Sequence, residues 1–382
     1  MAHKTKWRKI TALLLALLLI SACNILTGIP PVNTTAPSPV PFTPGDPTAT
    51  PLGSDIVDPN FIKGVEAFKA KDFQEVFTRM SAAMEADPDL APPYRYRAVA
   101  YKELGDCQSG LKDAEKALSL IPDYAAAWGV RGLMYECLGN DKQALEDYQK
   151  ALLIDPSLAF VHHNLGVYYF GKGDYEKSLE EYSLSAAIDP NRAGAWSGKS
   201  EALGRLGRWA ECIQNATKAL EVDPNEWLAY SDRGVCELNI NNFTMAEADY
   251  VVYLAHYPYD TSGWINLGFS QAKLAKYEEA VKSYNRALEI NPSTYQAYVN
   301  RGNALTKLGE FEKALDDFNR ALEFGDIPQA YIGRGTAYYW LEQYDEAIAD
   351  LELAAQKMPG SPSSHCMLAL TYLTDGASVP LT

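Results

Sequence analysis

Basic residues, histidine and cysteine are all scarce in this chain: 34 lysines and arginines stand against 49 acids, with 5 histidines and 6 cysteines in 382 residues. A formal charge of −15 without a basic stripe repels phosphate and argues against nucleic acid as a partner. That acidity fits a solvated outer face instead. No glycine-rich phosphate loop, GxGxxG, GxSxG, HExxH or CxxC occurs. His162 and His163 are adjacent, so on a helix they point about 100° apart and form no ligand pair. Neither a metal nor a cofactor is expected, no residue is a candidate for catalysis, and the chain does not read as an enzyme. Long apolar runs are missing too. The best, Ile10–Ile20, has 11 residues, well short of the roughly 20 that span a bilayer as a helix.

What surrounds that run explains it. Lys4, Lys6, Arg8 and Lys9 precede it, and Ser21, Ala22 and Cys23 follow. A basic flank, a short apolar core and small residues describe a secretory signal peptide over 1–22. The ending Leu/Ile, small, small, Cys resembles the lipobox of bacterial lipoproteins. The resemblance implies diacylglyceryl transfer to the Cys23 sulfur, cleavage before Cys23 and fatty acylation of the new amino terminus. It places the protein on the extracytoplasmic face of the cell membrane or outer membrane, held by its lipid. Losing the four basic residues would take the charge from −15 to −19. Residues 23–57 are rich in Pro and Thr and poor in hydrophobes, which predicts an extended stalk. At about 3.1 Å per residue it could hold the rest up to ~100 Å from the membrane.

Beyond the stalk a proline turn recurs with a fixed beat, at Pro88, Pro122, Pro156, Pro190, Pro224, Pro258 and Pro292, each interval being 34 residues. Pro359 follows after 67, so one unit is a residue short. A period of this length marks a solenoid. With the proline numbered 32 in each unit, position 8 is usually small (Gly132, Gly166, Gly268), position 4 usually aromatic (Tyr94, Trp128, Trp196, Trp264), and position 17 usually aromatic (Phe73, Tyr175, Phe311). At 100° per residue, positions 4, 7, 8 and 11 share one face of a first helix, A, and 17, 20, 24 and 27 one face of a second, B.

These residues resemble the tetratricopeptide repeat. The resemblance implies an all-α, right-handed superhelix of about nine helix-turn-helix repeats over 58–361, plus a C-terminal capping helix at 362–373 and a tail at 374–382. It also implies a binding function, the recruitment of other proteins.

The repeats vary together in an informative way. Arginine at position 7 (Arg97, Arg131, Arg233, Arg301, Arg334) goes with aspartate at position 23 (Asp113, Asp147, Asp249, Asp317, Asp350). Where the later repeats lack the arginine (Leu165, Lys199, Leu267), they lack the aspartate as well. This predicts an Arg–Asp pair bridging helices A and B, a planar fork on a carboxylate. The cysteines invite a similar reading. Cys107 and Cys137 stand at positions 17 and 13 of successive repeats, and Cys212 and Cys236 at 20 and 10. Antiparallel helices align positions of constant sum, so both pairs fall at matching levels of a helix B and the next helix A. Disulfides Cys107–Cys137 and Cys212–Cys236 are one reading, and small buried hydrophobes the other. Cys366 lies outside both pairs.

Positions 2, 5, 6, 9, 12 and 13 of helix A remain for a groove. They are near neutral in charge and carry Phe160, Phe170, Leu228, Val235, Ile265 and Phe269, interrupted by the amides Asn164, Asn266, Asn300 and Asn303. This predicts a site for an apolar extended or helical protein segment. Alternatively, some of these side chains fill the interior. A solute- or glycan-binding lipoprotein is the competing function, and it would need a closed pocket with converging polar groups. The segment 365–373, HCMLALTYL, is apolar nearly all round, so either it is deeply set or a second copy of the chain covers it as a homodimer.

Overall fold

A computed structural model describes residues 58–375; the signal peptide, Cys23, the stalk and most of the C-terminal tail lie outside them. The described residues hold 19 α-helices and no strand. They fall into two compact units, 58–236 and 237–375.

In the first unit α1 (Pro59–Lys69) and α2 (Phe73–Ala86) form one hairpin. The next are α3 (Ala91–Glu103) with α4 (Cys107–Leu120), α5 (Ala125–Cys137) with α6 (Asp141–Ile154), α7 (Ala159–Gly171) with α8 (Tyr175–Ile188), and α9 (Ala193–Arg205) with α10 (Trp209–Val222). The unit boundary falls within α11 (Trp227–Asn239), after which comes α12 (Phe243–His256). The second unit continues with α13 (Thr261–Lys273) and α14 (Tyr277–Ile290), α15 (Tyr295–Lys307) and α16 (Phe311–Leu322), and α17 (Pro328–Trp340) and α18 (Tyr344–Lys357). It ends with α19 (Pro362–Asp375). Within each unit the two helices of a hairpin pack on one another, and the second packs on the first helix of the next hairpin. The missing residue of the eighth repeat shortens a helix: α16 has 12 residues where other second helices have 14.

The local chemistry repeats with the sequence. The turn inside each hairpin needs one left-handed residue, supplied by Gly105, Gly139, Gly173, Gly207 and Gly309 at φ of 71° to 87°. Lys71, Asn241, Ala275 and Glu342 take the same role at φ of 58° to 63°, a conformation that costs an L side chain about 1 kcal/mol or more. Asp72, Asp106 and Asp174 cap the second helices by accepting from backbone N–H groups three residues on. The position-4 aromatics close the joint between repeats. The Trp128, Trp196 and Trp264 indoles donate to the carbonyls of Pro122, Pro190 and Pro258 at 2.8, 2.9 and 3.0 Å.

The largest fully buried side chains include the position-24 aromatics Tyr148, Tyr182, Tyr250, Tyr284 and Phe318. Of these, Tyr148, Tyr182, Tyr284 and Phe318 lie against glycine. A Cβ on Gly198 would meet Tyr182 Cζ at 2.3 Å, and one on Gly333 would meet Phe318 Cε1 at 2.3 Å. Small residues are therefore required wherever these rings pass between helices.

The expectation for the last helix is corrected. One side of α19 is buried through Ser363, Ser364, Met367, Leu370, Thr371 and Tyr372, while Pro362, His365, Ala369 and Leu373 face outward. Serine and threonine fit inside because they bond carbonyls one turn back: Ser364 to Ser361 and Thr371 to Met367. The outer strip is mixed, not a continuous apolar face.

Candidate functional site

Four of the expected Arg–Asp pairs are bidentate. The Arg97, Arg131, Arg301 and Arg334 guanidiniums each donate from Nε and Nη2 to both oxygens of Asp113, Asp147, Asp317 and Asp350, at 2.6 to 2.9 Å. In three of them Nη1 makes a bond the sequence did not predict, to position 25 of the preceding repeat: Ser81 for Arg97, Asn285 for Arg301 and Asn319 for Arg334. One arginine thus ties three helices. Arg233 donates to Thr217 in the same manner and lies over the Tyr230 ring, while Asp249 is buried. In the fourth repeat, which lacks the arginine, His162 Nδ1 lies 2.7 Å from Glu181, the residue at position 23, and Nε2 lies 3.2 Å from the Pro156 carbonyl. These charges hold the frame together.

The structure joins Cys107 to Cys137 and Cys212 to Cys236, with Cα atoms 6.2 and 6.4 Å apart. Each bridge links a second helix to the first helix of the following repeat. In the eighth repeat the Cys107 and Cys137 levels are occupied by Phe311 and Trp340, stacked with centroids 5.9 Å apart.

The groove residues require correction. Phe160, Asn164, Phe170, Val235, Ile265, Asn266, Phe269, Asn300 and Asn303 are all buried, and Leu228 is half-buried. Phe160 is spent on α5, the first helix of the preceding repeat, where a Cβ on Gly129 would meet its Cζ at 2.9 Å. Phe170 packs on Tyr175, with centroids 5.2 Å apart and Arg205 over its ring. Asn266, with no exposed surface, donates from Nδ2 to the buried Tyr250 hydroxyl at 2.8 Å. An asparagine at position 6 therefore serves the position-24 tyrosine of the repeat before it. It does not wait for a partner's backbone. Phe269, Asn300 and Asn303 line a cavity of about 40 Å³ with Lys273 and Tyr284, room for little more than water.

What stays accessible in the same row of the first unit is mostly polar, with Val167 and Leu228 as apolar members. Lys102, Glu136, Val167, Glu201, Arg205 and Asp232 are half-buried there. Glu201 stands at position 9 of the fifth repeat and Asp232 at position 6 of the sixth, and the Glu201 charge raises Asp232. Burial, only partly offset by Arg205, pushes the Glu201 carboxyl up to about 7. Asp232 is held well above the usual carboxylate range by burial and then by Glu201, although the Ser200 and Ser197 hydroxyls donate to it at 3.3 and 3.4 Å. Half-buried Glu226 is also pushed to about 7, by burial and then by Asp223. Glu136 is raised by burial, and the Tyr148 hydroxyl bonded to it at 2.6 Å pulls part of the way back. The buried Tyr182 hydroxyl is raised by burial and then by Glu201, Asp232 and Glu136. Four under-compensated carboxyls thus share one region, and what they can do chemically is accept a cation.

The neighbouring His163 is neutral, its ring held down to about 3 by burial and then by Arg192, and its Nδ1 has no hydrogen-bond partner. Among the described residues no group of three or more His, Cys, Asp or Glu side chains is arranged to hold a metal ion. The sequence did contain a signal for the acidic region. Position 9 of one repeat and position 6 of the next fall in one row, and both are acids only at Glu201 and Asp232.

The family models that match the sequence agree with this architecture. Tetratricopeptide-repeat family models match residues 125–158 and 295–324, a further one matches 159–192, and a TPR-repeat model matches 272–309. No curated protein matches the chain. Among solved structures, the APC/C heterotetramer Cut9–Hcn1 is 17% identical over 82% of this chain and 62% of its own, with a TM-score of 0.49. A tetratricopeptide repeat protein from Parabacteroides merdae is 17% identical over 65% of this chain and 98% of its own, TM-score 0.45. MamA from Desulfovibrio magneticus RS-1 is 19% identical over 44% of this chain and 94% of its own, TM-score 0.41. With the period of the sequence and the helical hairpins, the matched families identify the chain as one that carries tetratricopeptide repeats and folds as an all-α tetratricopeptide solenoid.

Proposed function

We propose that this chain is a non-catalytic, lipid-anchored scaffold on the extracytoplasmic side of a bacterial membrane, and that it recruits a protein partner presenting a basic side chain to the helix-A row of residues 58–236. The tetratricopeptide fold supports protein binding as the general role. The observation that carries the finer reading is the Glu201–Asp232 pair: two carboxyls raised by burial, Asp232 further by the Glu201 charge, with Glu226 also raised in the same unit. A lysine or arginine from a partner would relieve that repulsion in a partly desolvated setting, where charge-assisted bonds are strongest. This replaces the apolar segment expected from sequence, since Phe160, Phe170, Val235, Ile265 and Phe269 of the row are buried. The two disulfides support an oxidising compartment, and with it the signal peptide and the Cys23 anchor.

The test is crosslinking and pull-down from native membranes with wild type and a Glu201→Gln, Asp232→Asn double variant. Loss of a partner in the variant, with retention at high pH and release at low pH in wild type, supports the reading. A partner captured equally by both forms overturns the site. A Cys23→Ser variant that stays membrane-associated overturns the anchor. Binding of a free polyamine by wild type, without any captured protein, would favour a solute carrier.

A further inference from the structure

A cleft of about 480 Å³ opens on the other side of the eighth repeat, between α14, α15 and α16. Its floor is Val281, Leu305 and Leu308, and Arg301 and Asp317 form one wall. The chain itself shows why space is left there. The residues at this level are position 21 of one repeat and position 11 of the next. In the first two repeats these are Phe77 and Tyr101, whose rings meet edge to face at 5.1 Å with the Arg97 guanidinium 5.8 and 5.6 Å from their centroids. In the third repeat Tyr135 takes the same place, 5.7 Å from Arg131. Where the seventh repeat meets the eighth, both positions are aliphatic, Val281 and Leu305, while the arginine and its aspartate remain in the same bidentate geometry. Arg301 keeps its contact with Tyr298 at 5.6 Å and lacks the second ring that Arg97 and Arg131 have.

We propose that this cleft is a docking site for one aromatic side chain of a protein partner, a tyrosine first, which would sit where Tyr101 and Tyr135 sit in their own repeats. The guanidinium wall favours a π face and the aliphatic floor favours its apolar edge. The volume lies in the range of small-molecule and side-chain pockets and exceeds one ring, leaving room for the flanking peptide. The site shares no residue with the Glu201–Asp232 region, so it stands or falls independently of that one.

The probe is p-cresol, the tyrosine side chain without its backbone, titrated into the full chain and followed by ligand-observed NMR. Wild type should show saturable binding, weakened tenfold or more in Leu305→Tyr, whose own ring would fill the space with the residue that other repeats already carry. Val281→Phe, which copies the first repeat's Phe77, is the second variant in case the first fails to fold by circular dichroism. Leu305→Ala should retain binding. Equal binding by wild type and both filled variants, or no saturable binding by wild type, would overturn the proposal.

Discussion

Replacing Glu201 by glutamine should stabilise the protein at alkaline pH and leave it unchanged in acid. In the unfolded chain this carboxyl ionises near its ordinary value of 4.5, whereas in the folded chain it holds its proton to about 7. Between those values the folded state binds more protons, so stability is highest below the unfolded value and falls as pH rises through the window. A shift of that size corresponds to about 3 kcal/mol at 1.36 kcal/mol per pH unit. Because the side chain is half-buried and keeps some contact with water, about 1–2 kcal/mol is the expected net penalty above pH 8. Glutamine is nearly isosteric and cannot ionise, so it escapes this penalty. Urea midpoints for wild type and E201Q at pH 4 and pH 8 measure it directly: coincident at the first, raised for the variant at the second. Asp232 sharpens the test, because removing the neighbouring charge also eases its ionisation. The D232N and E201Q double variant should therefore gain less at pH 8 than the sum of the two single gains. A variant destabilised equally at both pH values would refute the reasoning, since it would mean that the carboxyl makes a favourable contact that glutamine cannot replace.

Arg131→Ala should cost about 3–5 kcal/mol, because it leaves the buried Asp147 carboxylate without its bidentate partner; calorimetry on variant and wild type reads the loss. Ala275→Gly should raise stability by about 1 kcal/mol by relieving a left-handed alanine at φ 58°, whereas the same change at a right-handed helical position would lower it. Non-reducing peptide maps should show Cys107 linked to Cys137 and Cys212 linked to Cys236. Reduction should then lower the urea midpoint, each loop of 30 or 24 residues contributing about 3 kcal/mol in the chain-entropy account. Separately migrating peptides for both pairs would refute the bridges.

How much was legible beforehand divides along the repeat. The period, the small residue at 8, the Arg–Asp pairs and the two cysteine pairs all depend on one repeat or one neighbouring junction. Nine near-copies of the repeat and eight of the junction in a single chain reveal such relations by covariation. Groove occupancy was not legible in that way. Phe160 and Asn266 carry the same position numbers as surface residues of other repeats, yet one fills the space over Gly129 and the other serves the Tyr250 hydroxyl. A side chain's helical position fixes its direction, not what it meets, and what it meets depends on the size of residues on two other helices. The third bond of Arg97, Arg301 and Arg334, to position 25 of the previous repeat, was missed for the same reason.

By itself the sequence determined the helices, their pairing, the turn residues and the internal ion pairs, because these follow from periodicities that each repeat states again. Only the tertiary structure decided which positions remain open to a partner. Burial is a property of close-packed volumes: the Tyr250 hydroxyl takes up Asn266, neighbouring helices take up Phe160 and Phe170, the acids at Glu201 and Asp232 stay in reach, and aliphatic Val281 and Leu305 leave a cleft beside Arg301.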